Sequence, residues 1–157
     1  HQAISKATGV SVAVPDDSPY ERVADLPSLA ELRRYRAAGI RIVAPPLFAL
    51  LEGDASGAIR PSAYARAVRA AGLAIIPWSL ERSGSLAVQD KGFYYQTLAD
   101  AIHREGDVLR VLDILAREVG ILAIFSDWPA TVAYYANCMG VGLQPDDREV
   151  PSQEGGE

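Results

Sequence analysis

The stretch ILAIFSDWPATVAYYANC, residues 121–138, decides the fold. Its apolar run ends at Ser126-Asp127, and an aromatic, helix-like segment follows at once. In parallel α/β proteins, a strand that presents a functional loop to the next helix ends in this way. The stretch therefore predicts a strand over residues 121–125, a short polar loop, and a helix that Pro129 opens.

Three other segments have the same continuous apolar character. They are VSVAV (10–14), IRIVAPP (40–46) and LAIIPWSL (73–80). Apolar runs without strict alternation are typical of strands that are covered on both faces. With residues 121–125 they predict about four parallel strands.

Helical patterns separate these runs, over residues 27–39, 61–72 and 107–120. Each starts with a polar residue or proline and stops at glycine, which is the expected asymmetry of helix ends. A further short helix is predicted within residues 93–103, anchored by Tyr94 or Tyr95. Residues 144–157 have too little apolar content to pack, so they are predicted to be a disordered polar tail after a domain over residues 1–143.

The order of elements predicts an α/β fold. Four strands with flanking helices form either a small open sheet or one half of an eight-stranded (β/α)8 barrel, which takes about 250 residues. The chain has 157 residues. A half barrel would leave apolar strand faces and two strand edges exposed to water.

Composition excludes several function classes. The net charge is −5 and the 15 basic residues are spread along the chain, so nucleic-acid binding is disfavoured. No apolar run approaches the roughly 18–20 residues of a membrane span. The lone cysteine, Cys138, excludes an internal disulfide and any cysteine-based zinc cluster.

The loops after the last two strands carry the candidate site residues. Trp78 ends its strand and precedes Glu81 and Arg82, so an indole and a guanidinium could contact a ligand's carbon skeleton and its anionic group. Alternatively, Trp78 fills the interior and Glu81 and Arg82 form a solvated pair. Asp127 could bind a ligand, but position alone favours Ser126 or Asp127 as the cap of the following helix. His103 lies in a polar patch, and a solvated position is expected for it.

GILAIFSDWPATVAYYANC resembles the final strand and helix of glycerophosphodiester phosphodiesterases, where GI-x-G-[IVL]-[FI]-[ST]-D-x-P ends the barrel. Ala123 stands where that pattern has glycine. GLAIIPWSLERSG looks like the preceding strand of that family, and GIRIVAPP and GVSVAV look like the two before it. The resemblance implies the C-terminal half of a TIM (β/α)8 barrel, with strands five to eight.

The resemblance also implies what this half lacks. The family's HR dipeptide, E-x-D pair and second catalytic histidine come from the first strands, and His1 belongs to no HR dipeptide. No catalytic residue and no ligand for the family's divalent metal, Ca²⁺ or Mg²⁺, is therefore assigned here. The implied reaction is hydrolysis of glycerophosphodiesters to glycerol 3-phosphate and an alcohol, by a protein that includes the missing N-terminal half. Trp78, Arg82 and Asp127 are the predicted substrate-binding residues.

Two other hypotheses stay open. One is a non-catalytic half barrel that self-associates through its open edges as a binding or structural module. The other is a different phosphate-handling barrel, since tryptophan and arginine at strand ends are not unique to one reaction.

Overall fold

A computed structural model describes residues 21–87 and 92–141 of the chain. These residues form a mixed α/β fold with α-helices α1 (Leu29–Ala37), α2 (Ala63–Ala70), α3 (Asp107–Ile114) and α4 (Pro129–Met139). Its strands are β1 (Ile42–Val43), β2 (Leu51–Gly53), β3 (Ile59–Pro61) and β4 (Ala74–Ile75). Short 3₁₀ helices span Val23–Asp25, Leu47–Ala49 and Phe93–Leu98, and a π-helical turn, Leu115–Val119, extends α3. The predicted strand at 10–14 and the predicted tail at 144–157 lie outside the described residues.

Local sequence signals set the helix ends. Ser28 and Glu31 form a reciprocal capping box at the start of α1, with the Ser28 amide 2.8 Å from the Glu31 carboxylate. Ser62 caps α2 through the Ala65 amide at 3.1 Å. Gly120 ends the third helical segment in the left-handed region, at φ 73°, where residues with a Cβ are strained. The predicted helix starts and glycine stops are confirmed.

Three backbone segments run side by side in one direction. β1 pairs with β4 in parallel, with Ile42 opposite Ala74, and a parallel bridge between Pro46 and Trp78 continues the pair. The third segment is residues 121–125: the Leu122 amide donates to the Ile75 carbonyl at 2.8 Å, and the Phe125 amide donates to the Pro77 carbonyl at 2.9 Å. The donor and acceptor residue numbers increase together along the two segments, so residues 121–125 are also parallel to β4.

The segment 121–125 differs from the prediction because it is not a regular strand. Its bonds to β4 occur on one side, and several of its apolar side chains face solvent. Leu122 is 65% exposed and Phe125 is 55% exposed. The bulky residues Trp128, Tyr134 and Met139 that follow are exposed as well. We call Leu122, Phe125, Trp128 and Tyr134 the exposed edge.

An antiparallel hairpin follows β1 and was not predicted. β2 pairs with β3 in the register Leu51–Pro61, Glu52–Arg60 and Gly53–Ile59. Asp54 closes the turn, since its carboxylate accepts from the Ser56 amide at 2.9 Å and the Ala58 amide at 3.2 Å. Gly53 lies so close to Ala101 that an added Cβ would be 2.8 Å from the Ala101 Cβ.

The core lies between the 3₁₀ helices and the inner faces of α2 and α3. Tyr95 is completely buried and donates its hydroxyl to the Leu80 carbonyl at 2.6 Å. Phe48 and Leu98 are also fully buried. Of the two tyrosines predicted to anchor the segment at 93–103, Tyr95 therefore does so, and it ties the segment to the loop that follows β4.

Within the described ranges, no helix combines the length and the apolar character needed to cross a membrane.

Candidate functional site

Trp78 lies at the carboxyl end of the β4 segment and is held by two contacts. Its indole N–H donates to the Ala44 carbonyl at 2.8 Å, which ties it to the neighbouring segment. Its ring meets that of Tyr94 edge to face, with centroids 5.5 Å apart. The side chain nevertheless remains 37% exposed. Trp78 is thus a fixed aromatic surface with solvent access, instead of a buried filler.

Arg82 and Asp127 form a two-point ion pair. Arg82 Nε lies 2.7 Å from Asp127 Oδ2, and Nη2 lies 3.1 Å from Oδ1. Both side chains are substantially exposed, at 62% and 45%. The Arg82 guanidinium lowers the pKa of Asp127 through its hydrogen bonds and its charge, and Asp127 in turn raises the pKa of Arg82. A planar fork of this kind fixes the orientation of the guanidinium.

Glu81 binds the same loop as Arg82. Its carboxylate accepts from the Ser126 hydroxyl at 2.5 Å and from the Asp127 amide at 3.0 Å. The adjacent residues Glu81 and Arg82 therefore both hold the adjacent residues Ser126 and Asp127. We call these four residues the loop clamp. It joins the loops at the carboxyl ends of two neighbouring parallel segments.

The sequence-based preference for helix capping by Ser126 or Asp127 is wrong. The residue before α4 is Trp128, and α4 has no side-chain cap. The Ser126 hydroxyl accepts from the Trp128 amide at 3.1 Å, two positions before the first amide that a helix cap binds, and the Asp127 carboxylate is held by Arg82. Ser126 and Asp127 bind Glu81 and Arg82, which are distant in sequence, and so they do not cap the helix. Pro129 does open the helix, as predicted.

The structure places the predicted site residues at one end of the parallel segments. Arg82 and Asp127 are in contact, and Trp78 packs against Tyr94. The solvated pair of Glu81 and Arg82, offered from the sequence as an alternative, does not form, because Arg82 binds Asp127 and Glu81 binds Ser126. The contact of Tyr94 with Trp78 was not predicted.

The described residues contain no metal-binding group. No group of three histidine, cysteine, aspartate or glutamate side chains there is arranged to hold a metal ion. His103 is exposed, as expected, and its backbone amide donates to the Asp107 carboxylate at 2.8 Å. What this part of the chain offers is an aromatic surface beside an oriented guanidinium.

Comparison with known proteins gives one informative similarity. No family model matches the chain. A protein of Arthroderma benhamiae, described as an extracellular protein, is 49% identical over 114 residues, which cover 71% of this chain and 46% of the relative. The chain thus spans about half the length of this relative. Its description gives a location and no reaction.

Proposed function

We propose that this chain is the C-terminal half of the barrel of a glycerophosphodiester phosphodiesterase. The observation that carries the proposal is the parallel alignment of residues 41–46, 74–78 and 122–125. It brings Trp78 and the loop clamp to the same end, where barrel enzymes bind their substrates. The S-D-x-P motif at residues 126–129, which the resemblance rests on, contributes Ser126 and Asp127 to that clamp.

The exposed edge supports an incomplete barrel. In a closed parallel barrel every strand is covered on both sides, so its residues are apolar and buried. Residues 121–125 have the apolar composition, yet Leu122 and Phe125 are more than half exposed. Completion of the barrel would place a strand and its helix beside this segment and cover part of this apolar surface. The 46% coverage of the Arthroderma relative is compatible with such a missing half.

In this proposal the three predicted residues bind substrate. Trp78 packs on the carbon atoms of the glycerol or of the leaving alcohol. Arg82 uses two of its five N–H donors on Asp127, so three donors remain for a phosphate oxygen. Asp127 orients Arg82, and Glu81 accepts a hydrogen bond from the Asp127 amide.

Hydrolysis needs groups that the described residues do not assemble. A phosphodiester reaction requires stabilisation of the developing charge and a positioned acid and base. The Ca²⁺ or Mg²⁺ implied by the resemblance finds no ligand group among the described residues, so no step is assigned to a metal here. The proposal places the acid, the base and the metal ligands in the other half. The relative's extracellular description supports a reaction outside the cell.

Reconstitution tests this proposal. The chain is co-expressed with an N-terminal half barrel that carries the HR dipeptide and the E-x-D pair, and glycerol 3-phosphate release from glycerophosphocholine is measured with and without Ca²⁺ or Mg²⁺. We expect activity in the reunited protein, none in the chain alone, and a loss of activity with Trp78→Ala. Reunited protein that is folded by circular dichroism but releases no glycerol 3-phosphate would contradict the proposal. Titration with unrelated sugar phosphates separates it from another phosphate-handling barrel.

A second candidate function is favoured by the exposed edge. Two copies of the chain could cover each other there and form a non-catalytic binding or structural module. This alternative predicts a discrete oligomer by light scattering that does not dissociate when the N-terminal half is supplied. A monomer, or an oligomer that dissociates when the N-terminal half is added, argues against this alternative.

A further inference from the structure

Arginines on and beside α1 and α2 form a positively charged surface. Residues 29–41 and 62–74 contain six arginines and one glutamate, a net charge of +5, whereas the whole chain carries −5. The two helices pack against each other, so charges that are dispersed along the sequence are gathered in space. We call these six residues the arginine surface: Arg33, Arg34, Arg36, Arg41, Arg66 and Arg69.

Three members of the arginine surface meet at the turn between α2 and β4. The Gly72 amide donates to the Arg69 carbonyl at 2.9 Å, and a Cβ added at Gly72 would lie 3.5 Å from Arg36 Nε. The Ala74 amide donates to the Arg41 carbonyl at 2.9 Å. This turn lies at the end where the parallel segments begin, whereas the loop clamp lies where they end.

Most of this positive charge is not neutralised by carboxylates of the described residues. Arg33 and Arg41 are exposed and take part in no ion pair there. Arg69 donates to the backbone carbonyl of Glu118 at 2.9 Å, which is a neutral acceptor. The carboxyl ends of α1 and α2 each act as about half a negative charge, so residues 29–41 and 62–74 together keep about +4.

We propose that the acidic segment, residues 144–157, binds the arginine surface of the same chain. The sequence QPDDREVPSQEGGE contains five carboxylates and one arginine, so its net charge of −4 is opposite to that of the surface. Guanidinium groups bind carboxylates through paired hydrogen bonds. The proposal does not rest on the phosphodiesterase function, because the arginine surface is separate from the loop clamp and from Trp78.

The course of the chain brings the acidic segment to this surface. α4 ends at Met139, whose carbonyl accepts from Arg117 Nη2 at 3.3 Å. Arg117 directly precedes Glu118, whose carbonyl binds Arg69. The chain therefore passes from α4 into the acidic segment at the same end of the molecule as Arg69 and the turn between α2 and β4.

The length of the acidic segment matches the distances to the two helices. Packed helices lie about 8–10 Å apart, so α2 lies roughly 20 Å and α1 roughly 30 Å from α4, with α3 between α4 and α2. An extended chain spans about 3.3–3.6 Å per residue, which lets Glu149 reach α2 and Glu154 reach α1 from residue 141. Because segment and surface belong to one chain, their effective concentration is on the order of millimolar.

Paramagnetic relaxation in the whole chain tests the proposal. A nitroxide is attached at Ser152→Cys in a Cys138→Ser background, and amide signal intensities are measured at about 20 mM and about 500 mM sodium chloride. We expect the Arg41 and Arg69 signals to lose at least about half of their intensity at low salt and to recover at high salt, because salt screens the attraction. No loss, or a loss that does not depend on salt, overturns the proposal.

Charge-removing variants locate the surface. Arg33→Gln combined with Arg41→Gln should restore at least about half of the lost intensity in the signals of α1 and α2. Arg22→Gln combined with Arg104→Gln is the matched control, because it removes the same charge from two side chains, 77% and 85% exposed, outside the arginine surface. The amide spectrum of each variant establishes that it is folded. Equal recovery in the two double variants contradicts the proposed surface.

A mixed sample separates binding within one chain from binding between chains. It combines isotope-labelled chain without nitroxide and unlabelled chain with nitroxide. We expect no loss of intensity in this mixture. A loss as large as in the chain that carries both labels would assign the acidic segment to a second copy and overturn the proposal.

Discussion

Tyr95→Phe tests how the loop carrying Glu81 and Arg82 is held. The Tyr95 side chain is completely buried, and its hydroxyl donates to the Leu80 carbonyl at 2.6 Å. Phenylalanine keeps the ring and its packing but removes this donor. The substitution therefore isolates one hydrogen bond between the segment at 93–98 and the residue directly before Glu81.

The expected loss of unfolding free energy follows from the burial of both Tyr95 and Leu80. Leu80 is 1% exposed, so water does not readily replace the lost donor. Leaving a buried acceptor unpaired costs about 1–3 kcal/mol, which sets the expected loss of unfolding free energy. In a chain of this size each kcal/mol lowers the midpoint of thermal unfolding by roughly 2–4 °C.

Urea unfolding followed by circular dichroism measures this loss. Tyr94→Phe is the matched control, since Tyr94 is partly exposed and its hydroxyl makes no hydrogen bond within the described residues. We expect an unchanged dependence on urea for both variants and a lower midpoint for Tyr95→Phe alone. If the two variants unfold at the same urea concentration, the Tyr95–Leu80 hydrogen bond does not anchor the loop.

Three further predictions concern helix capping, pH and the exposed edge. Ser62→Ala should lower the unfolding free energy by about 1–3 kcal/mol, because it removes the α2 cap and the donor to the Ala49 carbonyl. Ser28→Ala removes an exposed cap and should cost about 1 kcal/mol or less. Equal losses in urea unfolding would show that the hydrogen bond to Ala49 is unimportant. Burial, together with the charges of Glu81 and Glu105, raises the pKa of Tyr95 in the folded protein. An unfolded tyrosine begins to ionise near about pH 10. The contribution of Tyr95 to stability should therefore be constant below that pH and should decline as pH rises toward the pKa of the folded protein. Tyr95→Phe should reduce that alkaline decline, and an identical pH profile for the two proteins would contradict this assignment. Phe125→Lys should reduce self-association of the isolated chain, measured by light scattering, because the Phe125 ring is 55% exposed and lies on the exposed edge. Unchanged association would show that the chains do not associate through the exposed edge.

The contacts within the loop clamp could not be predicted from the sequence. Glu81 and Arg82 were recognised as a polar pair after a strand, and Ser126 and Asp127 as another. Their partnership depends on residues 45 positions apart, whose segments are adjacent only because residues 122–125 align with β4. Local preference favoured a helix cap at Ser126 or Asp127, and the distant carboxylate and guanidinium replaced it.

The unpredicted hairpin has a similar origin. β2 and β3 contain three residues each, too few for a recognisable alternating pattern. Their pairing is supported by packing of Leu51 and Ile59 into the core, and by the close approach of Gly53 to Ala101. Neither effect is visible in a short window of sequence.

The sequence alone determined the ends of the helices and the order of the apolar runs, because caps such as Ser28 and stops such as Gly120 act on their immediate neighbours. The tertiary structure decided which side chains meet: Trp78 with Tyr94, Arg82 with Asp127, and Glu81 with Ser126. It also decided that Leu122 and Phe125, apolar like the other strand residues, stay exposed. Burial and pairing depend on what lies across space from a residue, and hydrophobicity along the chain carries no information about that neighbour.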